Sequence, residues 1–336
     1  MSVLTRMLTV DRDNPDPGTL DLAAQILRGG GLVAFATETV YGLAADATNP
    51  AAVARIFEVK GRPPINPLIV HADQVERART CVSTWPLAAQ IVAERFWPGP
   101  LTLVLPRSPL IPNIVTADLS TVGVRIPSTA VACALIARTD RPLAAPSANR
   151  STGLSPTLAQ HVQKDLGGKI DLILDSGPAQ IGLESTVLDL SSEPPRVLRP
   201  GAITAEQLRT ALGVEVVAEA AGERPLAGLT SPGQMAVHYA PRTPTLRVEV
   251  DRIASFVPSG KIGLLVVGQP ECAAALGPSV RVNLLEPEEA ARSLYATLHQ
   301  WDELGLDCIV IVPPPDVPDW RWVRDRILRA TKAEKH

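Results

Sequence analysis

At 336 residues, 46% hydrophobic and 20% charged with a formal net charge of −3, the chain has the composition of a globular protein of about two domains. Collagen-like, disordered and coiled-coil classes are excluded, and the 32 Pro are scattered at the ends of apolar runs, where they punctuate many short elements. A charge this close to neutral argues against a protein that coats nucleic acid, while leaving room for a local basic patch and a weak RNA contact.

The first residues, MSVLTRMLTVDRDNP, lack a long apolar core after their basic residue, and no run reaches the roughly 18 apolar residues of a membrane span. A cytoplasmic location is therefore expected. In chain order, residues 18–29 place Leu22, Ile26 and Leu27 on one helical face, and Gly29–Gly31 stop that helix before the apolar strand LVAFA. Helix AAVARIFEVK then precedes strand PLIVH, and helix PLAAQIVAERF precedes strand LTLVL. Strand TVGVRI leads into a helix from Thr129 to Arg138, and helix TLAQHVQKDL into strand IDLIL. Strands STVLDL and RVLRPG and a short helix near Ala205–Leu212 complete a predicted first domain over residues 1–213. Its sheet is expected to mix parallel and antiparallel pairs.

Periodicity fades between Val214 and Thr243, so residues 214–244 read as a linker. After it, TLRVEV, KIGLLVVG, VRVNL and DCIVIVP alternate with helical stretches at Pro287–Leu304 and Trp320–Ala330. This predicts a smaller, Rossmann-like parallel α/β domain over 245–336. Cys81, Cys133, Cys272 and Cys308 are isolated and show neither disulfide nor zinc-ligand spacing. A Walker A loop is absent, since Gly260-Lys261 lacks the first loop glycine and the following Ser or Thr. G-x-G-x-x-G is absent too.

Polar residues interrupt apolar strands in six short segments. ATETVYGLAADA carries Thr37, Glu38, Thr39 and Tyr41, and by itself reads as a capping turn before a helix near Pro50. In KGRPPINP, Lys60 and Arg62 flank a glycine and Asn66 follows stiffening prolines. That loop suits a polyphosphate, although cations also belong at a helix C-terminus. Arg125, inside the strand TVGVRIP, needs an anionic partner from the protein or from a substrate. Ser147, Asn149, Ser151, Thr152 and Ser155 crowd one loop, as phosphate and ribose recognition or ordinary turn chemistry would require. Glu184-Ser185-Thr186 and Arg199-Pro200-Gly201 again set polar groups at strand ends.

In this order the segments resemble the threonylcarbamoyl-adenylate synthases of tRNA modification, in their long two-domain form. The resemblance rests on TETVYGL, KGRPPINPLIVH, FWPGPLTLVL, TVGVRIPS, PSAN, LGGKIDLILDSGP, GLESTV and VLRPG, then SPG and HYAPRTP in the linker. Departures are Ala36 where Pro is usual, Ala44 where Gly is common, Thr129 where His is frequent, and an atypical filling before His238.

The resemblance implies condensation of L-threonine, bicarbonate and ATP to threonylcarbamoyl-AMP, pyrophosphate and water. Other proteins would then pass the threonylcarbamoyl group to tRNA. It also implies Thr39, His71, Arg125, Ala145 and Ser185 around threonine. Lys60, Arg62, Asn66, Thr121, Ser147, Asn149, Ser155, Arg199 and Tyr239 would lie around ATP, with His238 and Tyr239 in a lid and Mg²⁺ held through the ATP phosphates. Two alternatives remain at this stage: a carbamoyl-transfer domain of the same fold, without the zinc-finger cysteines that usually accompany it, and an RNA-binding module using the KGR loop. Glu38 reads as a cap in preference to a metal or water contact. His161, His299 and the tryptophans at 301, 320 and 322 read as helix packing.

Overall fold

Local capping marks out several helices. Asp16 accepts a hydrogen bond from the Thr19 amide ahead of α1 (Pro17–Arg28), and Asn49 accepts from Ala51 and Ala52 ahead of α2 (Pro50–Lys60). Gly61 ends α2 at φ 59°, a left-handed conformation that glycine adopts without strain. In a computed structural model the chain is described at residues 4–218, 239–253, 260–276, 282–284 and 286–333.

The remaining helices are α3 (Val75–Thr80), α4 (Leu87–Phe96), α5 (Asn113–Thr116), α6 (Ala130–Thr139), α7 (Ala159–Leu166), α8 (Ala205–Leu212), α9 (Pro270–Leu276), α10 (Pro287–Trp301) and α11 (Arg321–Ala330). The first sheet contains β1 (Arg6–Thr9), β2 (Val33–Ala36), β3 (Tyr41–Asp46), β4 (Ile69–His71), β5 (Leu101–Pro106), β6 (Thr121–Arg125), β7 (Leu143–Ala144), β8 (Leu172–Asp175), β9 (Thr186–Asp189), β10 (Arg196–Arg199) and β11 (Val217–Ala218). Its order is β1-β8-β2-β3-β7-β4-β6-β5-β9-β10-β11, mixing parallel pairs such as β4 with β6 and antiparallel pairs such as β2 with β3.

The segment after LVAFA differs from its capping-turn expectation. It is the turn of a β-hairpin, and Tyr41–Asp46 is a strand whose six residues are all buried. A strand covered on both faces shows no polar alternation, so an Ala-rich run gives little strand signal. The helix cap before Pro50 is Asn49, downstream of the hairpin.

The second sheet contains β12 (Thr245–Arg247), β13 (Ile262–Val267), β14 (Val282–Leu284), β15 (Cys308–Val312) and β16 (Lys332–Ala333), the last not anticipated from the sequence. Its order is β14-β13-β15-β12-β16 with every pair parallel. The mixed α/β catalytic fold followed by a smaller Rossmann-like domain is thus present. Of the expected linker, residues 214–218 and 239–244 are described, while His238 and the filling before it lie outside the described residues.

The two domains share a core. Leu154 and Leu183 from the first cluster with Tyr239, Leu265, Tyr295, Trp301, Trp320, Val323 and Ile327. Gly182, at φ 85°, lies against α10 so closely that an added Cβ would stand 2.5 Å from the Ala291 carbonyl oxygen. His161 of α7 stacks on His299 of α10 at 3.8 Å, and Lys164 pairs with Glu303 at 2.7 Å. All four cysteines are free.

Candidate active site

The β2–β3 turn, the ends of β4, β6, β7 and β10 and the start of β9 converge on one small cavity, partly open to solvent. β4 and β6 run parallel with His71 opposite Arg125, so both side chains arrive at the carboxyl ends of neighbouring strands. Thr37 and Thr39 enter from the hairpin turn, Ala145, Pro146 and Ser147 from the segment after β7, and Glu184 and Ser185 from the approach to β9. Arg62, Arg199 and Tyr239 complete the polar lining.

Charge balance organises this cavity. Arg125 is buried, donates from Nε to the Gly99 carbonyl (3.2 Å) and from Nη1 to Thr39 Oγ1 (2.9 Å), and pairs through Nη2 with Glu38 Oε1 at 2.7 Å. Glu38 is therefore the protein carboxylate that the buried strand arginine requires, not a helix cap. It also accepts from the Ser128 amide. Arg62 donates to the Asn66 carbonyl and Oδ1 and to the Pro67 carbonyl. Burial, with Arg199 contributing, lowers its pKa to about 10. Arg199 donates to the Ser185 carbonyl and Oγ, and Ser185 Oγ also meets Thr102 Oγ1 at 2.8 Å. Burial lowers the Arg199 pKa and raises that of Tyr239, whose rise Glu184 reinforces.

His71 is 3% exposed, lines the cavity, and carries a buried Nδ1 with no hydrogen-bond partner. Burial, followed by repulsion from Arg125, holds its pKa at about 3, so the imidazole is neutral at physiological pH. It can meet a polar substrate atom without adding positive charge.

Of the residues expected from sequence, Thr39, His71, Arg125, Ala145, Ser185, Arg62, Ser147, Arg199 and Tyr239 line the cavity. Lys60 does not. Its Nζ donates to the Ser147 carbonyl (2.6 Å) and to the Asn149 carbonyl, tying the KGR loop to the PSAN loop. Burial, followed by the Arg62 charge, pushes its pKa well down. Asn66 supports Arg62, while Asn149 supports Lys60 and accepts from Ser147 Oγ. Ser155 donates to Glu184 Oε1 behind the wall. Thr121 lies in a small neighbouring cavity with Thr102 and Thr116, which shares Ile69 with the main one.

Residues 25–201 match the family described as "Telomere recombination", and residues 203–332 match "Threonylcarbamoyl-AMP synthase, C-terminal domain". The chain is 41% identical over 312 residues to the threonylcarbamoyl-AMP synthase of Pyrococcus abyssi, covering 89% of this chain and 90% of that protein. It belongs to the threonylcarbamoyl-AMP synthase family. A second member, from Bacillus subtilis, is 39% identical over 326 residues, covering 92% and 91% of the two chains. The crystal structure of P. abyssi Sua5 complexed with L-threonine superposes with a TM-score of 0.87 at 37% identity, covering 98% of this chain and 99% of that one.

Sequence reasoning in this family left Glu38, Thr102, Glu184 and Arg326 without site roles. For Arg326 a signal existed: Val323, Arg326, Ile327 and Ala330 follow i, i+3, i+4, i+7 spacing, which sets an arginine on the apolar face of α11. Glu184 stands among the polar groups at strand ends, but its partners are distant along the chain, so nothing local shows which of them it meets.

Proposed function

We propose that this chain is an L-threonylcarbamoyladenylate synthase, converting L-threonine, bicarbonate and ATP to threonylcarbamoyl-AMP, pyrophosphate and water. The observation that carries this reading is the convergence of Arg62, Arg125 and Arg199 with the Thr39 and Ser185 hydroxyls on one small cavity, in a member of this family. The threonine nitrogen attacks the bicarbonate carbon, losing water to form a carbamate. A carbamate oxygen then attacks the α-phosphorus in line and pyrophosphate leaves. An anion attacking a polyanion gains most from positioning and charge neutralisation.

Arg62 and Arg199 are the cations for the phosphates, and Ser147 adds a hydroxyl. Arg125, Thr39 and Ser185 face the threonine carboxylate and hydroxyl, with Ala145 leaving room beside them. His71 offers its unused nitrogen to the amine or carbamate, and its neutrality leaves the nucleophile's charge unquenched. Lys60, Asn66 and Asn149 hold the loops that present these groups, Ser155 holds Glu184, and Thr121 belongs to the nucleotide through the adjoining cavity. Tyr239, and with it His238, would exclude water from the mixed anhydride. Mg²⁺ would enter on the ATP phosphates, as a hard cation that favours phosphate oxygens.

The product would feed threonylcarbamoyl-transfer proteins acting on tRNA in the cytoplasm. No described helix is long and apolar enough to cross a membrane. The test is pyrophosphate release from ATP with Mg²⁺, omitting L-threonine or bicarbonate in turn, with the product identified by mass. Release that requires both and yields the threonylcarbamoyl-AMP mass is the expected result. Release that needs neither, or a different acyl-adenylate, overturns the substrate assignment.

A further inference from the structure

The second domain sends one fully buried guanidinium into the wall of the cavity. Arg326 of α11 is 0% exposed. Its Nε donates to Glu184 Oε2 at 2.7 Å, its Nη1 to Asp325 Oδ2 at 2.6 Å and its Nη2 to the Pro200 carbonyl at 3.0 Å. Its guanidinium also lies 5.5 Å from the centre of the Tyr239 ring. Glu184 and Tyr239 line the cavity, and Pro200 follows Arg199, which lines it too.

The charges here are matched. Asp325 also pairs with Arg329 at 3.0 Å, so two arginines of α11 stand against Asp325 and Glu184. Burial alone would weaken the Arg326 charge, and the two carboxylates overcome that and hold it in place. Glu184 retains two further donors, Ser155 Oγ and the Tyr295 hydroxyl, and has Arg199 as a charged neighbour. An uncompensated carboxylate at this position would repel a polyphosphate and draw Arg199 away from it.

We infer that Arg326 is a positioning residue contributed by the second domain, which neutralises Glu184 so that the cavity stays electropositive for a nucleoside triphosphate. This rests on the nucleotide reading given above and adds a role for the second domain in substrate affinity. A packing role and a charge role separate cleanly, because only the second is repaired by neutralising Glu184.

The experiment measures Mg²⁺–ATP affinity by calorimetry at pH 8 on the full chain, with unfolding midpoints recorded alongside. Arg326→Met should weaken ATP binding about tenfold or more, as loss of a buried charge partner does. Glu184→Gln in the same chain should return it to within about threefold of the unaltered protein, whereas two structural lesions would add. Arg326→Lys keeps the charge but not the three directed hydrogen bonds, and should lose less affinity than Arg326→Met. Where Arg326→Met fails to fold, Arg326→Gln takes its place, losing the charge but keeping hydrogen-bonding groups. No rescue by Glu184→Gln, or equal losses from Lys and the neutral variant at residue 326, overturns the inference. Failure of the unaltered protein to bind ATP at all overturns the nucleotide reading, and the inference with it.

Discussion

Arg125 Nη2 and Glu38 Oε1 lie 2.7 Å apart with both side chains at most 4% exposed, so the cavity holds a matched ion pair at the carboxyl end of β6. Glu38→Gln leaves the guanidinium buried without its counter-charge. Breaking such a pair from one side costs about 3–5 kcal/mol. Denaturant titration at pH 7 should show a loss of this size, and added L-threonine should recover part of it if its carboxylate takes the vacated place.

Lys60 gives a different expectation from that of a phosphate ligand. Its ammonium satisfies the Ser147 and Asn149 carbonyls, and both would be left without that donor in Lys60→Met. Unsatisfied buried acceptors cost about 1–3 kcal/mol each. The variant should lose stability on that scale, and synthesis should fall more than tenfold as the Ser147 loop loses its anchor. Stability unchanged beside lost synthesis would return Lys60 to the phosphates.

The pH dependence of stability follows from His71. Its pKa is about 3 in the folded chain against 6.5 as the ordinary value, so the unfolded chain binds a proton throughout that window and the folded chain does not. The stabilisation is present above pH 6.5 and is lost as pH falls toward 3, at up to about 1.4 kcal/mol per pH unit. His71→Gln should therefore show a flatter decline between pH 7 and 5 than the unaltered chain in urea titrations. Parallel curves would contradict it.

Elements with local signals were legible in the sequence. The Thr204–Gln207 capping box and Gly213 bracket α8 where the pattern placed it, and the second domain's strands and helices follow its hydrophobic alternation. The hairpin turn at Thr37–Val40 was not, since buried β3 lacks alternation. The Lys60 contacts are not legible, because a lysine after an amphipathic run looks the same whether it meets phosphate or the carbonyl of a residue 89 positions away. The Glu184–Arg326 contact spans 142 positions and depends on how two domains dock, which no local pattern encodes.

Gly182 tests that docking directly. Its backbone is left-handed at φ 85°, and a Cβ there would sit 2.5 Å from the Ala291 carbonyl oxygen and 2.7 Å from the Arg292 Cα. Gly182→Ala must both strain the turn and push α10 away. A lowered unfolding midpoint with a rise in the KM for ATP is expected. Gly61→Ala, where no atom lies within 4 Å of the added Cβ, should show the conformational penalty alone.

The 142 positions between Glu184 and Arg326 also set a timetable for synthesis. At about 5–20 residues per second, a nascent chain carries Glu184 for on the order of ten seconds before its partner is made. Throughout that interval Leu154 and Leu183 lack the apolar surface they bury in the finished protein. The first domain is thus translated before the surface that covers Leu154 and Leu183 exists, and a chain ending before α11 would leave those leucines and the Glu184 carboxylate without their second-domain partners.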